Sequence, residues 1–401
     1  MEKARKTKEM DMLNGGLAGK LIFFAIPLAF SSILQQLFNS ADVAVVGRFA
    51  GDRALAAVGS CVALVGIFVN LIVGLSVGPN AALANLIGQK KREKISGMLH
   101  TILTFGMVLG IVLMILGLLS ARVILEVSGT PESVMQEALI YIRIYFISIP
   151  FMTIYNFSAA ILRSYGDTRR PMYYLIVSGV VNVILNLVLV INFQLGVVGV
   201  AVATVISNVF IQSGINSFGE DAIAGSSLAL NFEYFMYDIA AAFAQAAVTF
   251  TSQNYGAGNL KRCKKIFWLC MLFGMGFTEL LSGIFMVCDE FFVSIYTISD
   301  AVAVYGLIRM HHVCSLEGLT ATYEVESAAL RGMGKSLEPS IITILGTVGF
   351  RLLWMVTIFK LVPTYEMLMN VYVASWLVTG GAIFVVYYSH MKKLERKMAG
   401  Q

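Results

Sequence analysis

Stretches of about 20 apolar residues recur along this chain, and a run of that length is what an α-helix needs to cross ~30 Å of hydrocarbon. No water-soluble core could hide so many. Apolar residues make up 58% of the chain and charged ones only 13%, whereas soluble domains carry about 25% charged residues. The surplus has to face lipid. The chain is therefore predicted to be an all-α polytopic membrane protein, with roughly eleven spans fitting its length at ~20 residues each. Residues 1–20 are basic and polar, with no apolar run ending at a small-residue cleavage site. No secretory signal is expected, and the first span serves as its own insertion signal. Cys61, Cys263, Cys270, Cys288 and Cys314 stand apart in apolar surroundings, with neither CxxC nor Cys/His spacing. They are expected to be structural and reduced.

The chain also repeats itself. Ala160-Ile161-Leu162-Arg163 returns as Ala328-Ala329-Leu330-Arg331, each followed by a glycine three residues on, at a spacing of 168 residues from Arg163 to Arg331. The same spacing relates Gly51–Ala56 to Gly219–Ala224 and Asn85–Gly88 to Gln253–Gly256. A basic cluster follows each of the last pair: Lys90, Lys91, Arg92 and Lys94 in one half, Lys261, Arg262, Lys264 and Lys265 in the other. Two halves facing the same way are the build of some secondary transporters, with a central site between lobes that rocking exposes to each side in turn. A duplicated static scaffold is the plainer alternative. The expected segments are a cytoplasmic N-terminal stretch over 1–20, a first helical bundle over 21–206, a second over 207–390 with its first helix truncated, and a cytoplasmic tail over 391–401.

Positive charge sets the orientation. Placing the N-terminus, loops 88–96, 163–171, 258–266 and 331–339, and the C-terminal tail on one side collects 22 of the 29 Lys and Arg there. That side is expected to be the cytoplasm. Charge in such short clusters speaks for topology and against nucleic-acid binding, despite the formal +5. Two basic clusters can share a side only if an even number of crossings separates them. Between Pro171 and Gly219, however, the chain holds only two spans, 172–192 and 196–218, where three are needed. One span and a loop are expected to be missing near Asn208.

Ionisable groups inside spans cost several kcal/mol in lipid and so mark candidate sites. Asp42 is the sharpest. Gln35, Asn39 and Asp42 fall on one helical face at i, i+4 and i+7, and a carboxylate on a polar stripe can take up a proton and release it when water or a cation arrives. The plainer alternative places Asp42 at the outer membrane surface beside Arg48. Asn182 and Asn186 at i, i+4, with Thr204 on the next span, can ligate a cation or hold a substrate but cannot exchange a proton. Interhelical hydrogen bonding is their alternative role, and Asn156 joins the same group. The second half is richer in charge, with Glu233, Asp238, Glu279, Arg309, Glu324, Glu326 and Arg351 in or beside apolar stretches. Arg351 needs an acidic partner, for which Glu324 is the candidate. Gly78-Pro79 is expected to break the second span, and Pro27 and Pro150 to kink theirs. His311 and His312 lack a third ligand nearby, so no metal site is expected.

No HExxH, Walker loop, GxSxG or Rossmann fingerprint occurs, so no enzyme chemistry or ATP site is expected and a gradient must supply the power. The stretches Phe38–Gly51 with Ala54–Gly59, and Glu324–Lys335 (EVESAALRGMGK), resemble the multidrug and toxic compound extrusion (MATE) transporters of bacteria, through nearly the whole chain. The resemblance implies a two-lobe antiporter that expels cationic lipophilic compounds in exchange for H+ or Na+, without further cofactors. It implies a multi-pass monomer in the inner (plasma) membrane with a cytoplasmic N-terminus. It also implies an N-lobe coupling cluster at Asp42, Asn182, Asn186 and Thr204. Asn186 departs from the family, which has a second aspartate there, leaving Asp42 the only acid of the cluster. Gln35, Asn39, Asn156, Asp238, Glu324 and Arg351 are the candidates for the substrate cavity. The alternatives are a lipid-precursor flippase on a related fold, or a non-transporting degenerate copy.

Overall fold

A computed structural model describes residues 10–49, 61–127, 132, 135–173, 175–176, 220–294 and 300–399. Among these residues the regular structure is helical throughout. The helices are α1 (Leu17–Phe49), α2 (Val62–Gly88), α3 (Arg92–Val127), α4 (Met135–Ser164), α5 (Glu220–Gly256), α6 (Leu260–Val287), α7 (Asp289–Ser294), α8 (Asp300–His312), α9 (Thr320–Gly332), α10 (Leu337–Ile344), α11 (Phe350–Val356), α12 (Ile358–Leu361) and α13 (Tyr365–Ala399). Seven helical segments among them are long and apolar enough to cross a bilayer, from Leu17–Leu37 at the start of α1 to Tyr365–Lys397 in α13. Their outward faces are apolar too: Leu119 is 79% exposed and Phe151 74%. Such side chains are at home only against lipid. The break expected at Gly78-Pro79 is absent, because α2 runs through Pro79 without interruption. The proline removes a single helical hydrogen bond, and its neighbours keep the turn.

The chain divides into two compact units. The first takes the described residues of Met1–Asp11 and of Phe30–Val205, and the second takes Met12–Ala29 together with those from Ile206 onward. Residues 21–29, expected with the first bundle, therefore pack with the second. In the first unit α3 and α4 run antiparallel at close range because glycines line the seam. A Cβ on Gly110 would lie 2.7 Å from the Cα of Pro150, and one on Gly117 would lie 2.5 Å from Cδ1 of Phe146. Without a hydrophobic drive between helices in lipid, such close packing is what holds them. Ile72, Leu125, Ile142 and Phe146 fill one core, and Leu83, Ile102 and Phe157 a second near the basic end. In the second unit α5, α6 and α8 pack through Phe232, Met236, Phe285 and Met310, and Phe267 stacks on Tyr387 of α13 at 4.0 Å.

The repeat reappears in the backbone. Asp167 N donates to Leu162 O at 3.0 Å and Lys335 N to Leu330 O at 2.9 Å, while Lys91 N donates to Leu86 O at 3.2 Å and Asn259 N to Asn254 O at 2.8 Å. Positive φ recurs at Gly166 (84°) and Gly334 (83°), and at Lys90 (59°) and Gly258 (75°). Both members of each pair sit 168 residues apart, the spacing of Arg163 and Arg331. These are left-handed helix ends, in which the turning residue lets the next N–H satisfy a carbonyl of the last turn. The ion pair on the following turn recurs with its signs exchanged. Arg170 meets Asp167 at 2.9 Å, and Lys335 meets Glu338.

Candidate functional site

Buried charge concentrates in the second unit. Arg309, on α8, is 1% exposed. Its Nε donates to Glu233 Oε1 at 2.5 Å, its Nη2 to Glu233 Oε2 at 3.0 Å, and its Nη1 to Ser226 Oγ at 2.6 Å. The bidentate fork from α8 to α5 is the geometry that recovers most of the cost of burying two charges. The Tyr372 ring of α13 lies under two guanidiniums, with its centroid 4.9 Å from Arg309 Cζ and 4.6 Å from Arg351 Cζ.

Between α8 and α9 the helix is interrupted by a 3-10 turn, Cys314–Leu319, with Leu316 out of helical geometry. Irregular backbone that is buried must find its hydrogen bonds inside the protein. Here α6 supplies them: Ser282 Oγ donates to Cys314 O at 2.6 Å, and Glu279 Oε1 accepts from Gly318 N at 2.9 Å. A Cβ at 318 would fall 2.5 Å from Glu279 Oε1, so a larger residue there would displace the Glu279 carboxylate from the turn. The same turn carries Glu317, which is 3% exposed and whose Oε2 has no hydrogen-bond partner. Glu317 lies within electrostatic reach of Glu233, Glu279, Arg309 and Arg351. Three carboxylates against two guanidiniums leave one negative charge in excess when all are ionised. The cluster can therefore accept one proton or one cation, with Glu317 Oε2 the open acceptor.

The sequence-derived candidates fare differently. Asp42 and Asn39 lie on α1, but their side chains are outside the described residues, as are Asn182, Asn186 and Thr204. Gln35 is exposed on α1. Asn156 turns back on its own helix, donating to Met152 O at 2.9 Å, and Asp238 is half-buried on α5. The pairing expected between Arg351 and Glu324 is not the one observed. Glu324 accepts from Tyr237 Oη at 2.8 Å and faces Arg331 at 3.9 Å. Arg351 donates to Ser375 Oγ at 3.0 Å and lies on Tyr372. A guanidinium can settle on an aromatic face and a hydroxyl when it makes no direct ion pair with a carboxylate. His311 and His312 turn to different partners, Asp289 Oδ2 at 2.7 Å and Asn370 Oδ1 at 2.8 Å. All five cysteines are free, and Cys288 alone is exposed. Sequence reasoning missed Glu317. Its signal was an acid beside a glycine, Glu317-Gly318, with no other Asp, Glu, Lys or Arg between Arg309 and Glu324.

Long apolar helices with apolar outward faces, one turn design repeated in two units and a buried charge cluster together define a multi-pass membrane protein built on a repeat. The MatE family model matches residues 27–188 and 197–356, and the chain belongs to that family. Among curated proteins it is 36% identical over 190 residues to the "Probable multidrug resistance protein YoeA" of Bacillus subtilis (strain 168), covering 46% of this chain and 41% of that protein. It is 22% identical over 384 residues to the "Probable multidrug resistance protein NorM" of Thermotoga maritima, covering 81% of this chain and 82% of that one. The chain thus spans less than half the length of the YoeA relative, and likewise 45% of "Probable multidrug resistance protein YpnP" of Bacillus subtilis. Its fold is similar to an outward-facing multidrug resistance MATE family transporter of the MOP superfamily, with a TM-score of 0.86 at 19% identity over 97% of this chain and 99% of that one. It is also similar to a MOP superfamily transporter from Pyrococcus furiosus, with a TM-score of 0.85 at 18% identity over 96% and 98% of the two chains. Both of these solved structures are described as transporters.

Proposed function

We propose that the chain is a secondary-active efflux antiporter of the plasma membrane, with a cytoplasmic N-terminus, that expels cationic lipophilic compounds in exchange for H+ or Na+. Family membership and relatives named for multidrug resistance support the passenger class. The observation that carries the coupling is the excess carboxylate buried among apolar helices, with Glu317 Oε2 unpaired. A buried acid that is charged attracts a cationic passenger, and one that has taken a proton lets it go. If each partner binds the two orientations of the protein differently, the gradient of one drives movement of the other. On the N-terminal half we assign the coupling role to Asp42, with Asn182, Asn186 and Thr204 as neutral ligands and Gln35, Asn39 and Asn156 toward the passenger. On the other half Asp238, Glu324 and Arg351 line its path. The protein acts as a monomer, and no nucleic acid takes part.

The test is ethidium efflux from cells expressing the chain. Asp42→Asn should abolish gradient-driven efflux at equal expression, and undiminished efflux would remove Asp42 from the mechanism. A lipid-precursor flippase needs a cationic cavity for pyrophosphate, for which Arg351, Arg309 and Arg143 are the candidates; Arg309 is paired with Glu233, and the two that remain are few for that task, which disfavours that reading. Tighter binding of a lipid pyrophosphate than of ethidium would reverse the preference. A chain that moves neither is the degenerate copy.

A further inference from the structure

The residues just before α1 are strapped to the second unit by one guanidinium. Arg262 of α6 donates from Nη1 to Gly15 O at 2.9 Å, from Nη2 to Asn14 O at 2.9 Å and from Nε to Met12 O at 3.3 Å. Asn254 Nδ2 reaches the same Met12 carbonyl at 3.1 Å. Gly15 turns the strap at φ +69°, and Lys20 Nζ closes it onto Asn14 O at 2.7 Å. Met12 is fully buried, and Leu17, Leu21 and Phe24 continue the seam, Phe24 meeting Phe250 edge-on at 5.4 Å. Every one of these contacts lies within the second unit, which includes Met12–Ala29, whereas α1 from Phe30 onward belongs to the first.

The internal repeat shows that the turn itself does not need this clamp. Lys94 holds the place in the first half that Arg262 holds in the second. There the same backbone bonds close the same turn while the lysine side chain is exposed. Three donors in a fixed fork, aimed at three carbonyls of one short strap, are thus a feature added to one copy, and one that lysine cannot reproduce.

We propose that Met12–Gly15 and Arg262 form a latch that holds the entry of α1 on the second unit and opens once in each transport cycle. This rests on the alternating-access reading. A helix shared between two units that move against each other must release one of them or bend, and the clamp is made of hydrogen bonds to backbone carbonyls, which exchange readily for water.

The test uses the whole protein in nanodiscs, with Cys288→Ser removing the exposed native thiol and Met12→Cys reporting on the strap. Maleimide should label the introduced thiol slowly, about tenfold or more faster once Arg262→Lys copies the first half, and faster again in the unaltered clamp on adding ethidium with a shift of pH. In vesicles Arg262→Lys should change the ethidium export rate while leaving ethidium binding within about twofold. Equal labelling with and without Arg262→Lys would overturn the clamp. Faster labelling with unchanged export would make the strap a fixed staple and overturn the latch. If the protein with Arg262 exports no dye at all, the transport reading fails and takes the latch with it, while the labelling comparison still decides the clamp.

Discussion

Arg309 and Glu233 are 76 residues apart in the chain and share two hydrogen bonds. Removing one partner strands a buried charge, so Glu233→Gln or Arg309→Met should cost about 3–5 kcal/mol. The double substitution Glu233→Leu with Arg309→Met should recover most of that loss. Thermal unfolding of the detergent-solubilised variants checks the sign and the recovery. Each of the two residues was legible as a charge in an apolar run, but their pairing was not. Spacing along a chain says nothing of which helices meet, and for that reason the sequence points Arg351 to Glu324, whereas its neighbours are Ser375 and Tyr372. Glu317 is hard to place from sequence for a related reason. Its turn interrupts the helical period, and periodicity is the means by which sequence reading assigns a residue to a face.

At the scale of elements the repeat was the most legible feature, because helix ends are written in local residues. The Gly166 and Gly334 turns follow from glycine at a left-handed end. Lys90 sits at φ 59° where the second copy has Gly258. A lysine there carries a steric cost of about 1–2 kcal/mol that glycine avoids, set against glycine's greater chain entropy. Lys90→Gly should therefore raise stability by about 0.5–1 kcal/mol, read as a higher melting temperature. A lower one would mean that the lysine side chain contributes a contact worth more than the strain. The glycine seam between α3 and α4 was not foreseen. Gly110 and Gly117 were visible in the sequence, but only the approach of Pro150 and Phe146 gives them a task.

On the scale of the whole molecule, the all-α membrane class was evident from the length and number of apolar runs, and the family follows from matches over 27–188 and 197–356. The division of the chain was less evident. The start of α1 belongs with the second unit because Arg262 and Phe250 hold it there, which hydropathy cannot show. The shortening expected near Asn208 lies outside the described residues, as does most of the expected N-lobe cluster. The account turns on gradient-driven movement of a cationic passenger by this chain. The most direct measurement is ethidium transport in proteoliposomes holding the purified protein, with a pH or Na+ gradient imposed across the bilayer. We expect transport that rises with the gradient and stops when an ionophore collapses it. Transport at the same rate with no gradient, or none under either gradient, would contradict the account.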